Sequence, residues 1–230
     1  MTADGRAMTG LPTFGGRRNM RDEIIETLRG AVISGELRPG TVYSAPSLGE
    51  QFGVSATPVR EAMLDLVKEG LVETIRNKGF RVVEPSDQEL DNFAEIRSLI
   101  EVPTVRRIAE RGADPAALKR LRELAEGIER AAVEHDFIAH VTIDMEFHTT
   151  LLRLAGNEHL VEIAQSLRAR SRIYGLKALA EHDQLIPSSH EHAVLVDLIE
   201  ARDADRAEAL MRAHIGHVRG IWAAKSGEAG

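Results

Sequence analysis

The stretch Gly53-Val-Ser-Ala-Thr-Pro-Val-Arg-Glu-Ala-Met63 decides how this chain is built. Thr57-Pro58 reads as a helix start, because proline at the first helical position lacks only an N–H that would be unpaired anyway. Val59, Met63, Leu66 and Val67 then share one helical face, and Gly70 ends the run. Just upstream, Ser47-Leu-Gly-Glu50 has the form of a capping box opening a short helix that ends near Phe52. A short helix, the Gly53 break and a second amphipathic helix make a helix-turn-helix. The first residues of the second helix, Ser55, Thr57 and Arg60, are then presented to solvent, where they can reach base edges.

Working outward, Met20, Ile24, Ile25, Leu28, Ala31 and Val32 recur at helical spacing until Gly35, and Pro39-Gly40 marks a turn. On the other side, the β-prone runs 71–75 and 80–83 flank Arg76-Asn-Lys78-Gly79, a hairpin with a basic tip. Three helices followed by a basic hairpin is the order of a winged helix-turn-helix. In that reading Arg60 bonds a guanine edge or clamps a phosphate, while Arg76 and Lys78 reach the backbone or minor groove. The same unit can serve as a protein-interaction module, with Arg60 paired to Glu61 or Glu26 on a solvated face.

The rest of the chain changes character. Pro85 marks a boundary, and Ser86-Asp-Gln-Glu89 is a second capping box. Beyond it only helical periodicity is found, with breaks expected near 112–115, 135–136, 156–157, 186–189 and 202–205. Six or seven bundle-length helices follow from that pattern, one of them kinked by Pro103. The expected organisation is a flexible tail over 1–19, a winged helix-turn-helix over 20–84, an all-helical domain over 87–223 and a second tail over 224–230.

Of 230 residues, 43% are hydrophobic and 28% charged, as in ordinary globular proteins. No cysteine is present, which removes disulfides, thiolate metal sites and cysteine nucleophiles. No apolar run is long enough to cross a bilayer and no secretory leader is visible, so a cytoplasmic location without membrane contact is expected. The net charge of -7 lies entirely in the second part: residues 1–86 hold 11 basic and 11 acidic side chains, residues 87–230 hold 18 and 25. Phosphate contacts need local rather than net positive charge, so the neutral first part can still bind DNA.

All nine histidines fall from His135 onward. At 100° per residue, Asp144 and His148 share the apolar face formed by Phe137, Val141, Leu151 and Ala155. His192 aligns with Leu195, Val196 and Ile199, and His214 with Ala207, Leu210, Met211 and Val218, while His190 points away and His217 sits at an edge. Three imidazoles and a carboxylate pointing inward from three helices make a plausible nitrogen–oxygen shell for a divalent ion. Periodicity alone leaves the alternative of hydrogen-bonded core histidines open, and His140 competes for the same face.

Two resemblances narrow these readings. Residues 53–63, with Glu69-Gly-Leu-Val72 and the turn Leu37-Arg-Pro-Gly40, resemble the signature of the GntR family of bacterial regulators over about 20–84. In this family arginine is common where the chain has Ala56, so the operator sequence does not carry over. Residues 87–223 look like the FCD effector domain of the FadR branch. This likeness rests on Glu95-Ile-Arg97-Ser-Leu-Ile-Glu101, Ile143-Asp-Met-Glu-Phe-His148, Ala155-Gly-Asn157, Glu191-His192 and Arg212-Ala-His-Ile215. It implies that Asp144, His148, His192 and His214 bind a metal (zinc, with nickel or manganese as alternatives) and that Arg97 helps bind a small carboxylate effector. The local alternative for Arg97 is a surface pair with Glu101 at i, i+4.

The expected protein is therefore a ligand-responsive repressor, homodimeric on a double-stranded DNA operator, and not an enzyme. The alternative is a metal-dependent hydrolase using the same His/Asp cluster. Against it, no His-Glu-x-x-His helix, phosphate-binding glycine loop or Ser/His/Asp arrangement stands out.

Overall fold

The computed structural model describes residues 17–226 except 182, and side chains only within 21–171 and 183–217. The first part consists of α1 (Arg17–Ser34), β1 (Val42–Tyr43), α2 (Ala45–Phe52), α3 (Ala56–Lys68), β2 (Val72–Ile75) and β3 (Gly79–Val82). β2 and β3 form the expected antiparallel wing, with Val72 opposite Val82 and Ile75 opposite Gly79. β1 joins the open edge of β3, a pairing that the sequence pattern does not announce. Two residues are too short for a visible period. What holds them is Tyr43, whose hydroxyl accepts from the Arg38 backbone N–H at 2.8 Å. Gly79 permits the close approach, since a Cβ there would stand 2.2 Å from the Tyr43 carbonyl oxygen.

Two helix starts differ from expectation. α2 is capped by Ser44, whose hydroxyl accepts from Ser47 N, and Pro46 lies in its first turn. The capping-box reading of Ser47 places this start too late, because Pro46 tolerates the first turn as well as any residue. α3 is preceded by Ser55 rather than Thr57, so Pro58 sits third, where its missing N–H again costs nothing. Gly53 ends α2 in the left-handed conformation that turns the chain into α3.

Beyond the wing the described elements are all helices: α4 (Asp87–Arg111), α5 (Pro115–Val133), α6 (Phe137–Arg153), α7 (Glu158–Glu181), α8 (Leu185–Glu200) and α9 (Ala204–Ser226). The Ser86–Glu89 capping box is formed as expected. α4 continues through Pro103, and Leu99, whose carbonyl loses its helical partner there, is exposed, so water can replace the bond. The break expected at 186–189 comes earlier, with α7 ending at Glu181 and α8 starting at Leu185. Pro187 therefore lies in a first turn, not between helices. α1 begins at Arg17 and α9 runs to Ser226, so helix takes the place of part of both expected tails; the remainder of those tails, 1–16 and 227–230, lies outside the described residues.

α1 joins the two parts. One face packs on α3, where Arg29 clasps Glu69 through Nε at 2.9 Å and Nη2 at 2.6 Å. The other face lies on α6 and α7, and Gly30 has no side chain because a Cβ there would be 2.6 Å from Ile138 Cγ2. Ala132, Val141, Ala169 and Leu185 consequently belong to the same apolar core as Leu28, Ile33 and Met63. A second core, built on Phe147, Leu151, Leu195, Val196 and Met211, fills the interior of the bundle.

Candidate metal centre and nucleic-acid interface

The α2–Gly53–α3 turn leaves Ser55, Thr57 and Arg60 exposed, and the wing leaves Arg76 and Lys78 exposed. Arg60 makes no ion pair among the described residues, so the pairing with Glu61 or Glu26 does not form. A cavity of about 410 Å³ between α2, α3 and the wing brings Arg60 and Lys78 together, beside Ser44 and Asn77. Ser55, Thr57 and Arg76 do not line it. Asn77 supplies the left-handed residue of the wing tip at φ 60°, a conformation asparagine tolerates better than most.

The second site lies inside the bundle. Asp144 and His148 come from α6, His192 from α8 and His214 from α9, and all four are buried. One ligand atom from each lies within 4.8 Å of every other. His192 Nδ1–H donates to the Ser189 carbonyl at 2.9 Å, which leaves Nε2 as a lone pair. That lone pair faces Asp144 Oδ1 at 3.2 Å and His148 Nε2 at 3.1 Å. His214 Nδ1–H donates to Glu191 Oε2 at 2.8 Å. Phe147 sets its ring edge-on to His192, with centroids 4.8 Å apart.

Acceptors turned toward one another in a dry interior repel unless a proton or cation lies between them. Burial, aided by the Arg168 charge, holds His148 well below the ordinary histidine range, so its ring is neutral rather than a cation. His148 Nδ1 has no hydrogen-bond partner among the described residues. The donor set of three imidazole nitrogens and one carboxylate oxygen fits zinc, nickel or manganese. His140, the competing candidate, stands outside the group. Its Nε2–H donates to Ser189 Oγ at 3.0 Å, and that hydroxyl donates to the Leu185 carbonyl.

Arg97 is buried and bonds Glu101 through Nε at 2.7 Å, with Nη1 reaching Ser171 Oγ at 3.3 Å. The i, i+4 pair is therefore real but internal rather than on the surface. Arg168, absent from the residues expected at the site, completes the network. It donates to Glu101 Oε2 at 2.9 Å and to Asp144 Oδ2 at 3.0 Å, while its Nε has no hydrogen-bond partner among the described residues. Two guanidinium and two carboxylate groups balance one another in this network. Burial alone would raise the Glu101 carboxyl, but Arg97 and Arg168 outweigh it and hold the group below the usual carboxylate range. A signal for Arg168 is present in the sequence: it falls at helical spacing from Val161 and Ala164, on the buried stripe of α7.

Glu191 is the other residue that sequence reasoning missed. Its second oxygen lies 3.2 Å from His217 Nδ1, and burial pushes its carboxyl up against the opposing pull of His217 and His192.

Comparison with known proteins matches both halves of this arrangement. Residues 20–82 match the gntR family of bacterial regulatory proteins, and residues 92–217 match the FCD domain. The chain is 28% identical over 200 residues to the HTH-type transcriptional repressor GlaR of Escherichia coli K12, covering 82% of this chain and 89% of that protein. It is 32% identical over 188 residues to the Nta operon transcriptional regulator of Aminobacter aminovorans, covering 80% and 85% respectively. The solved structure of E. coli McbR/YncC superposes with a TM-score of 0.75 over 90% of this chain and 98% of that one, at 24% identity, which speaks to the fold. Among the described residues no helix is long and apolar enough to cross a membrane. A helix-turn-helix with its wing, an FCD bundle and relatives that are regulators rather than enzymes agree: the chain belongs to the GntR family and is a DNA-binding transcriptional regulator of its FCD-containing type.

Proposed function

We propose that this regulator represses transcription as a homodimer on a two-fold operator and responds to a small carboxylate that binds beside a divalent metal held by Asp144, His148, His192 and His214. The observation that carries the reading is the convergence of four buried ligand atoms, two of the imidazoles having Nδ1–H already donated elsewhere. A single recognition helix covers only a few base pairs, and pairing two copies doubles the site. Ser55, Thr57 and Arg60 contact bases, and Arg76 and Lys78 contact the backbone beside them.

The metal, when bound, supplies an open coordination position for a carboxylate oxygen. Arg168 fixes Asp144, and Arg97 offers positive charge that an effector has to share with Glu101. α6 carries the response outward, since Val141 and Met145 pack against the core of the DNA-binding part while Asp144 and His148 face the centre. A cation or effector that shifts α6 thus has a direct route to α1, and two arrangements of the paired DNA-binding domains differ in operator affinity.

The test is metal analysis of tag-free wild type, His192→Ala and His214→Ala, with operator gel shifts alongside. About one metal per chain in wild type and loss in both variants is expected. Equal metal content in all three, or the absence of salt-dependent DNA binding, overturns the reading.

A further inference from the structure

Glu191 differs from every other group around the centre because it touches both the interior and the surface. Its Oε2 accepts from His214 Nδ1–H at 2.8 Å, and its Oε1 lies 3.2 Å from Nδ1 of His217, one helical turn further along α9. The four candidate ligands are at most 6% exposed, whereas His217 retains 46% of its side-chain surface and Glu191 18%. A crevice too narrow to admit a water molecule is lined by Glu191, Leu195, Leu210 and Met211 beside the three histidines. Glu191 is the acidic residue that lines it.

Resting on the metal reading above, we propose that Glu191 holds His214 in the metal-binding tautomer and, with His217, forms the outer contact through which the cation is loaded. A carboxylate that accepts the far N–H of a ligating imidazole orients the ring and makes its other nitrogen a better donor. Ser189 does this for His192 through a buried carbonyl, which has no surface face. Glu191 does it with a carboxylate whose other oxygen faces the half-exposed His217 ring. A hydrated cation exchanges its waters for protein ligands stepwise, and an oxygen and a nitrogen donor outside the buried centre provide the first exchange. His190, its neighbour on α8, points elsewhere and faces Glu129 at 3.5 Å.

The experiment uses full-length tag-free protein with Zn²⁺ as the probe. Equilibrium affinity is read by competition with a chromogenic chelator, loading rate by stopped flow, and the His214 tautomer by ¹⁵N NMR of the zinc-free protein. Glu191→Ala is expected to weaken zinc binding by about 10–100-fold and to leave His214 in mixed tautomers. Glu191→Gln, whose amide oxygen still accepts from Nδ1–H, is expected to keep most of the affinity but load more slowly. His217→Ala, half-exposed and therefore safe for folding, is expected to load slowly at unchanged affinity. Wild-type affinity in Glu191→Ala overturns the positioning role, and a wild-type loading rate in His217→Ala overturns the loading role. Wild type that takes up no zinc, nickel or manganese instead overturns the metal reading, while the tautomer spectra still decide whether Glu191 holds His214.

Discussion

Replacing Arg168 with methionine keeps most of the aliphatic length and removes the charge that stands between two buried carboxylates. Glu101 retains Arg97 as a partner at 2.7 Å, but Asp144 loses its guanidinium at 3.0 Å and faces the His192 lone pair at 3.2 Å. The side chain is 1% exposed, so water does not readily replace it. Removing one member of a buried ion pair typically costs about 3–5 kcal/mol, because the remaining charge stays desolvated. For a chain of this size each kcal/mol moves the melting temperature by about 2–4 °C, so Arg168→Met without metal should melt roughly 6–20 °C below wild type. Zinc should recover part of that loss, since a cation at the centre neutralises Asp144 in place of the arginine. Adding Glu101→Gln should recover another part, because it removes the second carboxylate of the network. Calorimetry with and without chelator reads all of these. If metal-free Arg168→Met melts within about 2 °C of wild type, under 1 kcal/mol, the Arg97–Glu101–Arg168–Asp144 chain is not the dry network described above.

Other outcomes follow from the same contacts. Arg60→Ala should weaken specific operator binding by about 1–3 kcal/mol if the arginine reads a base. Lys78→Ala should instead lower affinity for all sequences and flatten the salt dependence; fluorescence anisotropy on operator and scrambled duplex at several salt concentrations separates the two. Glu101 has a folded-state pKa below its unfolded value of about 4.3, so its contribution to stability is present above that pH and is lost as pH falls through the folded pKa. Denaturant midpoints should therefore fall on acidification below about pH 4.3, and less steeply in Glu101→Gln than in wild type; parallel profiles would refute this.

The short-range grammar of the chain is legible in its residues alone. Hydrophobic spacing locates the three DNA-binding helices, the wing and the helical remainder, because a helix or strand must turn its apolar side to the core wherever that core lies. The same periodicity places Asp144 and His148 on one inward face. Family resemblance, not spacing, selects four ligands and sets His140 aside; in the structure His140 turns to Ser189. Local rules misplace the starts of α2 and α3, where several serines, threonines and prolines can satisfy a first turn equally well and long-range packing chooses among them. Only the tertiary structure could supply the partners of Arg168 and Glu191. Arg168 meets Glu101 across 67 positions of sequence and Glu191 meets His214 across 23. A helical period says which way a side chain points but not what stands opposite, and a charged group enters a dry interior only where another helix brings its partner.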